Sequence, residues 1–336
     1  MRVDFMKGSN VTRNTVAKRA GVSPAVVSYV INNSNYVSAQ TREKVLKAIK
    51  ELDYYPNRIA RSLKTRKTMQ LLLIANDIQN EFYVEVAYFL ENIAFDNGFS
   101  LFMTNARDND SFIRSIYEGG YDGVFLYTEK ISVKHMNQIA QRGIPVVFAS
   151  NYKQANLHKN ITVLDVGIYE GMIKLLEYLV SKGHKNMHFI SRTEFNNGMR
   201  DKYSRFRAFN EITQKYNIPG EISFVNPHEE NSISECVDKI VNQPERPTAL
   251  ASMNDLIAFR IINELEKRGF NVPGDFSVTG FDNIRLAEIS TPGITTIDIP
   301  KKRMAQDIFD FLTVKKDAGQ KEKKYTDPEL IIRESA

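Results

Sequence analysis

The residues able to do covalent or metal chemistry are few and scattered. One cysteine, Cys236, and five histidines are spread over 336 residues, and none has the spacing at which His and Cys hold zinc. There is no GxSxG elbow, no GxxxxGK[ST] loop, no HExxH pair and no GxGxxG turn opening a helix. What the chain does offer is binding chemistry at the ends of strand-like runs. Asn80, Phe82 and Tyr83 follow MQLLLIAND, Asp165 ends ITVLDV, Asn254 and Asp255 follow TALAS, and Asp282 ends FSVTGFD. An aromatic ring in such a place stacks on a ligand ring, although Phe82 serves equally well as a core contact. Asp255 reads as a helix-capping or structural residue.

Composition bounds what these residues can belong to. Charged residues are 25% and hydrophobic ones 42%, as in globular proteins, and the length calls for two or three folding units. No uncharged apolar run approaches the roughly 20 residues of a membrane span. The opening MRVDFMKGSN has no apolar signal core, and one cysteine closes no internal disulfide, so the expected place is a reducing cytoplasm. Net charge is +5 but uneven: residues 1–68 hold 14 Lys and Arg against 4 Asp and Glu, the remaining 268 hold 31 against 36. A basic head on a mildly acidic body points to a polyanion that meets the head alone.

The head reads as helices. Thr12 can cap a first helix with Val16, Ala17 and Ala20 as its buried stripe, and Gly21 breaks it. Ser23 and Pro24 supply an N-cap and an N1 proline for a second helix, with Val27, Val30 and Ile31 on one face and Ala25, Ser28, Tyr29 and Asn32 on the other. Two short helices around a glycine turn make a helix-turn-helix, the second sized for the DNA major groove. Ser38 can cap a third helix, whose Val45, Leu46, Ile49 and Leu52 close the core. Beyond Pro56, Asn57–Lys64 has a helical pattern too short to hold alone in water.

The segments VAKRAGVS, VSYVINN, VSAQTREKVLKAIKELDYYPN and IARSLKT, about 50 contiguous positions from Val16, resemble the head of the lactose-repressor (LacI/GalR) family of bacterial transcription regulators. The resemblance implies DNA contacts from Ser23, Ala25, Val26, Ser28, Tyr29 and Asn32, and from Asn57, Ala60, Arg61, Leu63 and Lys64 of a hinge helix. Leu63 stands where the family places a minor-groove wedge, which suits an apolar side chain that unstacks a base step; ordinary helix packing is the other reading. Position 29 is often Arg or His in the family, and Tyr29 cannot grip guanine in two-pronged fashion.

From residue 69 strands alternate with helices, which means parallel sheets covered on both faces. About 265 residues of this pattern call for two subdomains, with ligands held beyond the carboxyl ends of the strands. The resemblance continues here and implies a periplasmic-binding-protein-like effector domain, so the expected fold is an all-α helix-turn-helix DNA-binding head plus an α/β domain of two doubly wound subdomains. The expected division is an extension over 1–10, a head over 11–56, a hinge and linker over 57–68, and an effector and dimerisation domain over 69–336. Within it the N-subdomain spans about 69–165 and 296–326, the C-subdomain about 166–293 and 327–336. Arg205 opens RFRAF, similar to the family's Arg-x-x-Gly-Phe segment with Ala208 in place of Gly. The resemblance implies effector contacts from Arg205, Asn254 and Asp282, beside Phe82, Tyr83 and Asp165.

These readings favour a DNA-binding repressor controlled by a small molecule, with operator DNA, a second copy and a sugar-like effector as partners, and neither cofactor nor metal. A purine corepressor and a phosphocarrier-protein partner stay open. A solute-binding protein would share the body but not the basic head, and an enzyme lacks an acid–base or nucleophile set. No leucine heptad tail follows ELIIRE, which favours a dimer over a tetramer.

Overall fold

The computed structural model describes residues 11–55, 62, 67–150, 155–192, 203–229, 231–314, 324–325 and 327–336. The chain divides into two compact units, Met1–Thr68 and Met69–Ala336.

In the first unit, helix α1 (Arg13–Ala20) starts at a reciprocal cap: Thr12 Oγ1 accepts from Thr15 N at 3.3 Å, and Thr15 Oγ1 from Thr12 N at 3.2 Å. Gly21, at φ 67°, takes the left-handed turn that ends it. Helix α2 (Pro24–Asn32) is capped by the Ser23 hydroxyl, and helix α3 (Ala39–Glu51) by that of Ser38. Val16, Ala17, Val27, Val30, Val45, Ala48 and Tyr54 form the core. Leu46, expected there, is instead 52% exposed. The buried stripe of α3 runs through 45, 48, 49 and 52, and Leu46 lies about a quarter turn away from it. Of the hinge, Asn57, Ala60, Arg61, Leu63 and Lys64 lie outside the described residues, as does the extension over 1–10.

The second unit holds two parallel sheets. The six-stranded sheet runs β11-β5-β4-β3-β1-β2, where β1 is Gln70–Ala75, β2 Ser100–Asn105, β3 Gly123–Tyr127, β4 Val146–Ala149, β5 Ile161–Asp165 and β11 Lys324–Tyr325. The four-stranded sheet runs β7-β6-β8-β9, from Gly220–Val225, Met187–Arg192, Ala249–Ser252 and Ser277–Thr279. Leu71, Leu73 and Ala75 pack into one core and Leu72 and Ile74 into another, so β1 is apolar on both faces. The chain leaves the first sheet after β5 and returns through β10 (Thr296–Asp298), which pairs antiparallel with β12 (Glu329–Ile331). Helix Lys301–Thr313, between them, buries Met304, Ala305, Ile308 and Leu312.

One polar clamp fixes the edge of the larger sheet. His135, 7% exposed, opens helix Val133–Gln141 and places Nδ1 2.5 Å from Asp108 and Nε2 3.1 Å from Asp110. The hydrogen bond to Asp108 raises the imidazole pKa against the opposing effect of burial, and Asp110 adds to the rise. A raised histidine pKa contributes stability that is complete below about 6.5 and is lost as pH climbs through the higher folded-state value. Chemical denaturation from pH 6 to 9 should therefore show wild type losing stability relative to His135→Gln as pH rises; a constant difference would reject the charged clamp.

Candidate functional site

Two surfaces present the residues singled out above. On the head, Ser23, Ala25, Tyr29 and Asn32 are exposed along one side of α2, with Val26 and Ser28 half-buried among them. The Ser23 hydroxyl accepts from Val26 N at 3.4 Å, and Asn32 Nδ2 donates to Ser28 Oγ at 3.1 Å. Lys18, Lys44, Lys47 and Lys50 are exposed on the flanking helices. A short helix with a polar face amid exposed cations can enter a groove while cations meet phosphates.

In the body, the strand orders place the second surface. In the six-stranded sheet the chain runs one way from β1 to β2 and then reverses to β3; in the four-stranded sheet it reverses between β6 and β8. Such switch points open crevices beyond the strand ends. Asn76 follows β1, Tyr127 ends β3 and Glu129 lies two residues on; Arg192 ends β6, and Met253 and Asn254 follow β8. These residues, with Asn80, Phe82, Tyr83, Ile168, Arg205 and Asp282, line one partly open cavity, with about 40 Å³ of enclosed space.

Its walls are aromatic on one side and charged on the other. Phe82, Tyr83 and Tyr127 meet edge to face, with centroids 5.2–5.7 Å apart. Phe82 is only 3% exposed, so most of its ring is core and Tyr83 is the more accessible aromatic. Burial raises the Tyr83 phenol pKa, Glu129 and Asp282 add to the rise, and Arg192 and Arg205 oppose it. Asn76 joins the two ends of the β1–β3 crevice: its Nδ2 donates to Glu129 at 2.9 Å and its Oδ1 accepts from Thr128 Oγ1 at 2.5 Å.

Arg205 stands in the first turn of helix Ser204–Lys215, its guanidinium 4.4 Å from the Phe281 ring centroid and 3.7 Å from Asp282. It is 9% exposed, and its Nε has no hydrogen-bond partner among the described residues. A buried N–H left without a partner costs about 1–3 kcal/mol. Asp282, at φ 102°, sits in a region few side chains adopt. Burial raises its pKa to about 6, Arg205 and Lys301 pull it down, and Glu85 pushes it up.

The remaining residues act around this pair. Asn254 Oδ1 caps helix Asp255–Lys267 by accepting from Ile257 N at 3.0 Å, leaving its amide nitrogen beside the cavity. Asp255 is fully buried, accepting from Ile284 N at 2.9 Å and Thr296 Oγ1 at 2.5 Å. Its role is therefore structural, and Gly280 exists to fit it: a Cβ there would come within 2.1 Å of Asp255 Oδ1. Asp165 is not among the cavity-lining residues; its carboxylate accepts from Gly167 N at 3.0 Å and shapes the turn into helix Ile168–Ser181. At half-exposed His228, Nε2 lies 3.1 Å from Asp77, joining the loop after β7 to the loop after β1.

Asn76, Tyr127, Glu129, Arg192 and Met253 were missed by the sequence reading. Each lies at or just past the carboxyl end of a strand it recognised, so applying the strand-end rule to every strand would have found them. No group of three or more His, Cys, Asp or Glu among the described residues could hold a metal ion, and no helix among them is long and apolar enough to cross a membrane.

A buried carboxylate whose pKa is raised costs stability once ionised. Asp282 contributes fully below about 4, and that contribution is lost as pH rises through about 6. Asp282→Asn should thus stabilise the protein by about 3 kcal/mol at pH 7 in urea denaturation, with the gain vanishing near pH 4. A variant less stable than wild type at pH 7 would show that the carboxylate is structural.

Comparison with known proteins agrees with this architecture. Residues 14–57 match the bacterial regulatory proteins of the lacI family, and residues 176–336 match a periplasmic binding protein-like domain. Catabolite control protein A of Priestia megaterium is 30% identical over 302 residues, 87% of this chain and 88% of that protein. The HTH-type transcriptional repressor PurR of Proteus mirabilis is 32% identical over 308 residues, 90% and 89% of the two chains. The lac repressor dimer bound to operator and the anti-inducer ONPF shares the fold, with a TM-score of 0.80 at 21% identity, covering 97% of this chain and 98% of that one. The chain therefore belongs to the lacI family of bacterial regulatory proteins, DNA-binding transcription regulators that carry a ligand-binding effector domain.

Proposed function

We propose that this regulator is a repressor whose operator affinity is set by a sugar or sugar derivative held in the cleft. The observation that carries this reading is the charged half of the cavity, which Glu129 and Asp282 line together with Arg192 and Arg205. Hydroxyl groups donate to carboxylates and accept from guanidiniums, so a polyhydroxylated ring meets both kinds of wall. A purine fits less well. It would stack on an aromatic face, and of the cavity aromatics Phe82 is only 3% exposed, which leaves Tyr83 as the ring to offer one.

On the DNA side, the polar face of α2 would read an operator half-site through Ser23, Ser28, Tyr29 and Asn32, with Ala25 and Val26 against apolar base edges. A second copy would read the other half, as twofold operators require. Asn57, Ala60, Arg61, Leu63 and Lys64 would add DNA contacts, with Leu63 as the minor-groove wedge.

A thermal-shift screen with pentoses, hexoses, disaccharides, sugar phosphates and purine bases tests the effector class. A bound sugar at 100 times its dissociation constant adds about 2.7 kcal/mol to stability. Arg205→Ala should abolish the shift while operator binding in a mobility-shift assay stays within about twofold. A shift from purines alone, or from sugars undiminished in Arg205→Ala, would overturn the assignment.

A further inference from the structure

The residue after Asp282 ties several segments together. Asn283, at φ 47°, spends both ends of its amide on the segments by which the chain passes between the two sheets. Its Nδ2 donates to Asp298 of β10 at 3.0 Å, and its Oδ1 accepts from Arg333 Nη2, just past β12, at 2.8 Å. Its carbonyl accepts from Lys301 Nζ at 3.0 Å, and its N–H points to Thr296 Oγ1 at 3.4 Å. Lys301, 7% exposed, also reaches Glu85 at 3.2 Å, on the helix that carries Phe82 and Tyr83. One position upstream, Asp282 N donates to Ile297 O at 2.9 Å. The cavity carboxylate, both passing strands and the aromatic-bearing helix are thus tied within one short loop.

We infer that Asn283 is a positioning residue: it holds the Asp282 carboxylate toward the cleft and, through Asp298 and Arg333, fixes the two passing strands so that the cleft keeps one opening. Its geometry explains why an amide is needed. One end must donate to a carboxylate and the other accept from a guanidinium, which neither Asp nor Ala does. The left-handed backbone is one that Asn adopts more readily than most residues. The ligand consequence rests on the effector reading above; the effect on the strands does not.

The test uses the full chain with nitroxide labels at Glu91→Cys and Lys239→Cys, exposed positions on helix Glu81–Asp96 and helix Ser232–Val241; Cys236 is buried and stays in place. Pulsed electron-spin distances should be narrow in the otherwise wild-type chain and broad in Asn283→Ala. Asn283→Asp keeps the size and the acceptor for Arg333 but sets two carboxylates together. It should be broad at pH 8, whereas a merely space-filling role would leave it as narrow as wild type. Distances as narrow as wild type in both variants at pH 8 would overturn the inference, and Asn283→Asp decides alone if Asn283→Ala does not fold. In parallel, calorimetry with D-ribose, cellobiose, glucose 6-phosphate and hypoxanthine should show whichever binds losing at least tenfold in affinity in both Asp282→Asn and Asn283→Ala. Binding indifferent to Asp282→Asn, or none at all, would defeat the effector reading, while the distances would still decide the role of Asn283.

Discussion

A carboxylate and a guanidinium that water barely reaches, Asp282 and Arg205, set the terms for the effector-domain cleft. Each alone would be costly to bury, and at 3.7 Å they offset only part of that cost. Burial still drives the Asp282 pKa up to about 6, and Arg205 Nε lacks a described partner. Folding alone gains little from such a pair, since apolar side chains of similar size would serve a core better. Its persistence is understandable if a third party with hydroxyl groups completes it.

Much of the surrounding structure holds this pair in place. Asp255, buried and tied to Ile284 N and Thr296 Oγ1, fixes the loop that carries Asp282, and Gly280 leaves room for it. Phe281 offers its ring to the Arg205 guanidinium at 4.4 Å, a cation–π contact that partly replaces lost hydration. The parallel strands do the rest, because both switch points deliver polar residues to the same cavity.

How much of this the sequence announces depends on how local the cause is. Ser23-Pro24 and Gly21 declare the turn and start of α2, because a cap, an N1 proline and a left-handed glycine act within a few residues. The run QLLLIA declares a strand buried on both faces. Leu46 misled because an apolar type was taken for a buried one, although the spacing 45, 48, 49, 52 already excluded it. Helix Lys301–Thr313 is legible too, from Met304, Ala305, Ile308 and Leu312 at helical spacing. Asp165 looked like Asp282, since both end strands; only tertiary structure turns one toward a backbone N–H and the other toward a cavity. Glu129 and Arg192 share no motif and lie 63 positions apart, meeting only through the packing of two sheets. The roles of Asn57, Ala60, Arg61, Leu63 and Lys64 stand on resemblance alone.

The most direct test of the central claim is the titration of Asp282 itself. In full-length protein labelled with carboxyl-13C aspartate, the resonance absent from Asp282→Asn identifies it. Its midpoint should lie near 6 in the free protein and fall when a sugar that passes the thermal-shift screen is added, because hydroxyl donors favour the ionised form. A midpoint near the ordinary value of about 4, unmoved by the sugar, would contradict the account.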